Sequence, residues 1–170
     1  MFTIRKSIVA GVALTAAVGL GTVAAAPATA DTVSVSFSCA FAGAGHWTAD
    51  YLVTITAPAT ATRGQAVTVT AALGSIGTAN QDAPAGAYRA FMDISLGGAA
   101  SGTITANGLT SPAVRVGDPL PLTGGVASVT FNAVGDVTYR PVRFVSTNRG
   151  FGCGVLGGGS GPVTATTRVS

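Results

Sequence analysis

The chain contains no glutamate, one lysine (Lys6) and one histidine (His46). Each shortage removes a class of chemistry. Without glutamate there is no glutamate pair for acid and base work, and a lysine confined to the first few residues leaves the rest without an amine nucleophile. Only two cysteines occur, Cys39 and Cys153, with no C-x-x-C spacing, so one imidazole and scattered aspartates fall short of a zinc ligand set. Neither a D-x-D run nor an EF-hand spacing is present for calcium. No G-x-S-x-G elbow occurs, so a Ser-His-Asp hydrolase would have to be built on His46 with Asp50 nearby in the chain. The sequence therefore predicts no cofactor, no metal and no enzymatic activity.

The opening segment has a different character. Arg5 and Lys6 form a short cationic region, Ile8 to Ala26 an apolar one, and Ala28-Thr29-Ala30 supplies the small residues of a cleavage site before Asp31. Residues 1–30 read as a signal peptide and residues 31–170 as one secreted domain. The competing reading is an uncleaved membrane anchor. The apolar run is rich in Ala, Gly and Val and no basic cluster follows it, which favours cleavage and leaves no membrane span afterwards. After cleavage seven arginines face six aspartates, and the arginines stand singly, so no basic footprint for nucleic acid exists. In an oxidising compartment the two cysteines predict a Cys39–Cys153 disulfide.

With glutamate and lysine gone, Thr, Val, Ser, Ala and Gly dominate, a composition that favours pleated strands over exposed helices. Residues 32–41 alternate cleanly, with Val33, Val35, Phe37, Cys39 and Phe41 on one side and Ser or Thr mainly on the other. The same period recurs over residues 50–57, 65–73, 87–96, 125–133, 137–147 and 162–170, with shorter strands at 103–106 and 113–116 separated by Asn107-Gly108. Pro141 lacks a ladder donor and implies an edge or a bulge. Residues 150–162 read as the most flexible part of the domain, with Gly157-Gly158-Gly159-Ser160-Gly161 behaving like a linker. Eight or nine short strands without a helix predict an immunoglobulin-like antiparallel β-sandwich, with a small closed barrel as the alternative.

Two motifs match in letters only. Gly152-Cys153-Gly154-Val155-Leu156-Gly157 fits G-x-G-x-x-G but leads into glycines instead of a helix, so no helix N-terminus awaits a pyrophosphate. Leu120-Pro121-Leu122-Thr123-Gly124 spells a cell-wall sorting pattern but is followed by alternating sequence instead of an apolar span. The candidate binding residues are His46 and Trp47, read as lying on a Gly-rich loop, with Tyr51 at the start of the next strand. A loop tryptophan can stack on a sugar or apolar ring beside a hydrogen-bonding imidazole. The plainer reading is that Trp47 covers the end of the core near Cys39.

The alanine-rich leader, the opening strand Val35-Ser36-Phe37-Ser38-Cys39, the Ala/Thr/Val/Gly-rich β domain and the late second cysteine resemble small secreted actinobacterial β-sandwich domains of uncharacterised function. A more distant resemblance is to the neocarzinostatin family of chromophore-binding apoproteins, which have two disulfides where this chain can form one. The expected function is a secreted, non-catalytic module for binding, adhesion or attachment to a cell-envelope component. The alternative that the second resemblance implies is a carrier of a small apolar or carbohydrate ligand.

Overall fold

The computed structural model describes residues 28–170, and all regular structure in them is β. The expected leader lies outside the described residues except for Ala28-Thr29-Ala30, which open the first strand. The strands are β1 (Ala28–Phe41), β2 (Ala44–Pro58), β3 (Thr60–Ala61), β4 (Ala66–Leu73), β5 (Arg89–Gly98), β6 (Gly102–Thr110), β7 (Leu122–Thr130), β8 (Gly135–Ser146), β9 (Phe151–Val155) and β10 (Ala165–Val169). Their hydrogen-bonded order is β3-β10-β8-β5-β6-β7-β4-β2-β1-β9, with a further β8–β9 ladder. Among the described residues no helix is long and apolar enough to cross a membrane.

The sandwich expected from alternation is present. One layer is β1-β2-β4-β7, the other β6-β5-β8-β10, and all pairings are antiparallel except the short β3–β10 contact. The layers are joined on both sides, by β6–β7 on one and by β9, which pairs with both β1 and β8, on the other. The inward residues follow the period of two: Val35, Phe37 and Cys39 from β1, Tyr51, Val53 and Ile55 from β2, Val67, Val69 and Ala71 from β4, and Met92 and Ile94 from β5 form one continuous core. A smaller cluster of Ala79, Ala83, Val114 and Leu120 fastens the two long connections, 74–88 and 111–121, to each other.

Four local expectations change. Residues 44–49 extend β2, residues 151–155 form β9, residues 113–116 contribute only an isolated bridge between Ala83 and Val114, and β6 runs through Asn107-Gly108 to Thr110. In the last case Gly108 takes a positive φ of 88° and the register with β5 shifts there, so the chain absorbs a bulge and continues. Pro141 sits where the β5–β8 register shifts, and its carbonyl accepts from the Gly161 amide at 2.7 Å, in keeping with a residue that has no ladder donor of its own.

Tyr139 is fully buried on β8, its hydroxyl 2.9 Å from Thr167 Oγ1, which in turn donates to the Pro58 carbonyl at 2.7 Å. Burial raises its pKa, and the bond with Thr167 pulls weakly the other way. Because an unfolded tyrosine ionises near pH ~10, the stability tied to the neutral phenol is complete below that pH and drains away as pH rises toward the higher native value. Denaturant titrations from about pH 9 upward should show this decline, and Tyr139→Phe should flatten it. An unchanged slope in the variant would refute the assignment.

Candidate functional site

The β1–β2 hairpin decides where the candidate residues go. It turns on Ala42-Gly43, where Gly43 has φ of 79°, so Gly45, His46 and Trp47 lie within β2 and not on a loop. The Gly-Ala-Gly run reads as a loop because glycine is a poor strand former. Here a full-length ladder with β1 overrides that propensity. Once these residues are in a strand, alternation separates them. Trp47 and Tyr51 face inward, and His46 is exposed on the outer face with Thr48 and Asp50. The structure brings Trp47 and Tyr51 together and leaves His46 out.

Trp47 pairs across the ladder with Cys39, and Cys39 pairs with Cys153 of β9. The two cysteines form the expected disulfide, with Cα atoms 3.9 Å apart. The antiparallel register around it places Phe41 opposite Phe151. Their rings are 5.5 Å apart, and the Trp47 ring lies 5.1 Å from Phe41 and 6.0 Å from Phe151. The Trp47 Nε1–H donates to Tyr51 Oη at 3.3 Å, and that hydroxyl lies 4.0 Å from Cys39 Sγ. Below it, Tyr51, Phe37 and Phe144 pack with centroids 5.2 to 5.9 Å apart, and Phe144 reaches Phe151 at 6.2 Å. An aromatic column thus runs from the core to one end of the sandwich. It ends in a surface patch, Phe41 being 46% exposed while Trp47 and Phe151 are half-buried.

The column is packed shut. Tyr51 is buried and its hydroxyl occupied, so it offers a ligand nothing directly, whereas the Phe41, Trp47 and Phe151 rings present edges and faces to solvent. Phe41 is the member that local reading assigns to the core. The signal that finds it is arithmetic: it lies two residues after Cys39 as Phe151 lies two before Cys153, so an antiparallel disulfide register sets the two side by side.

On the outer face of the same layer the Ser36 hydroxyl donates to the Asp50 carboxylate. His46 lies four residues from Asp50, about 13 Å along an extended strand. Ser36 is bonded to the Asp50 carboxylate directly and His46 lies too far along the strand to bridge them, so Ser36, His46 and Asp50 are not arranged as a proton relay. A second polar cluster sits on the other layer, where Arg143 Nε donates to Asp93 Oδ2 at 2.6 Å and Thr105 Oγ1 to Asp93 Oδ1 at 2.7 Å. It ties β6, β5 and β8 together and gives both oxygens of the buried carboxylate a partner. Among the described residues no group of three or more His, Cys, Asp or Glu is placed to hold a metal ion.

The opposite end of the sandwich carries a cleft of about 310 Å³ between the β5–β6 turn and the β7–β8 connection, lined by Leu96, Ala100, Ser101, Thr130, Phe131 and Asn132 among others. Its lining contains no ionisable side chain. Comparison with known proteins finds no matching family model, no similar curated protein and no similar solved structure.

Proposed function

We propose that the protein is a secreted, non-catalytic module that binds a cell-envelope component through the Phe41–Trp47–Phe151 patch. The observation that carries the reading is the patch itself: three aromatic rings, part exposed, at one end of the sandwich, with Phe41 and Phe151 flanking a disulfide that holds both supporting strands. A ring face held in place by packed neighbours is what stacking on a sugar ring or an apolar ring requires, and such a side chain loses little entropy on binding. The Ser36–Asp50 bond and the isolation of His46 support the non-catalytic part of the reading. The disulfide supports an oxidising compartment.

The carrier alternative finds its support at the other end, where an uncharged cleft of about 310 Å³ matches the lower range of small-ligand sites. The two readings separate in one experiment. Cell-envelope polysaccharide should shift the emission of Trp47, the only tryptophan, and Phe41→Ala should weaken binding by about tenfold, the loss expected for one stacking contact. Phe41 is exposed enough for the fold to tolerate that change with a small stability cost. Binding that survives Phe41→Ala but is lost when Asn132 is replaced by a bulky side chain would move the site to the cleft. No binding to envelope material at all would end the proposal.

A further inference from the structure

The β1–β2 hairpin extends well beyond its neighbour in the sheet. β2 pairs with β1 along its whole length but with β4 only over Val53–Thr56, and the last backbone bond on that side runs from the Gly74 amide to the Leu52 carbonyl at 2.8 Å. Beyond it, no described residue pairs with the β2 backbone on the side away from β1. Hydrogen-bond parity identifies the free groups. Leu52 directs its carbonyl away from β1, so His46, Thr48 and Asp50, at the same parity, direct their amides and carbonyls to the same open edge.

Sheet proteins ordinarily blunt such an edge with proline, lysine, a bulge or a cover. Residues 45–51 contain neither proline nor lysine, and the hairpin's one register shift lies at its tip, between Ala40 and Phe41. The free stretch is short, bounded by the Gly43 turn at one end and Gly74 at the other. It is also self-complementary. If an identical strand pairs with it in antiparallel fashion around Thr48, His46 faces the second copy's Asp50, Thr48 faces Thr48, and Asp50 faces the second copy's His46. The hydrogen-bonding parity is satisfied at all three positions. On the inner face the same register sets Trp47 opposite Ala49, a large residue against a small one. Beyond His46, a Cβ added at Gly45 would meet nothing within 4 Å, so the space next to the paired stretch is open.

We infer that the chain forms a two-fold dimer by antiparallel pairing of β2 edges over His46–Asp50, with crossed His46–Asp50 pairs setting the register. The interface is isologous, as closed two-fold assemblies require, and the imidazole and carboxylate sit opposite each other twice. The pairs that set its register come from the outer face, which the aromatic patch leaves out, while Trp47 of the patch borders the interface on the inner face, so the dimer needs no ligand but adjoins the proposed ligand surface.

Sedimentation of the purified chain over a wide concentration range should show a monomer–dimer equilibrium. His46→Asp, which sets carboxylate against carboxylate at both pairs, should weaken it by about tenfold, and adding Asp50→His to that variant should restore most of the loss. Thr48→Pro should abolish the dimer, because the amide it removes points to the open edge and takes no part in the β1–β2 ladder. If the proline variant fails to fold, the charge-exchanged pair decides alone. A protein that stays monomeric throughout, or a dimer indifferent to His46→Asp and to the double exchange, would overturn the proposal.

Discussion

Replacing both cysteines, Cys39→Ala with Cys153→Ala, is expected to cost about 2 to 5 kcal/mol of folding stability. The bridge spans a sequence separation of 114 residues, for which the chain-entropy model gives an upper figure of about 4.8 kcal/mol. Such a loss is a large part of the ~5 to 15 kcal/mol that holds a typical domain together. The structure adds a local consequence. β9 is five residues long, three of them Gly or Cys, and it fills the gap between β1 and β8. Without the covalent tie its short ladders must hold themselves. Amide exchange should therefore lose protection first along β9, over Phe151–Val155, before the β5–β8 amides change. Chemical denaturation together with hydrogen exchange checks both parts, and a loss under about 1 kcal/mol would show that the ladders close the sandwich unaided.

Phe144→Ala should be as damaging, at about 3 to 5 kcal/mol. Phe144 is fully buried and contacts Phe37, Tyr51 and Phe151, so it joins the two layers and links the core to the exposed patch. Truncation removes the transfer energy of the ring and leaves a cavity that neighbouring rings in fixed rotamers fill poorly. Phe144→Leu keeps much of the volume and should cost considerably less. The patch should respond as well: with Phe151 no longer supported from below, Trp47 emission should move toward that of a solvent-exposed indole. A Phe144→Ala protein with near-native stability and unchanged emission would mean that the aromatic column does not couple the patch to the core.

The parts of the fold that are legible in advance are those set by neighbours in the chain. The alternation of Val35, Phe37 and Cys39 with Ser34, Ser36 and Ser38 assigns the two faces of β1 without reference to any partner. The same holds for Val67, Val69 and Ala71 on β4. Three of the four misreadings fall at glycine; the fourth, residues 113–116, is an alternating run that pairs at one bridge only. Residues 44–46 and 151–155 have little local strand preference, and both become strands because long ladders recruit them, β1 in the first case and β1 with β8 in the second. The candidate site inherits the same error: on a loop His46 and Trp47 would be neighbours, whereas a strand sends them to opposite faces.

The all-β class, the inward face of most strands and the only possible intramolecular disulfide follow from the residues alone, because periodicity and cysteine count are local or combinatorial facts. The order of the strands, the closing role of β9, the meeting of Phe41 with Phe151 and the open edge at His46–Asp50 come into being only when the chain is folded. Those depend on pairings between residues far apart in the chain, and a backbone hydrogen bond carries no mark in the sequence of the strand it will join.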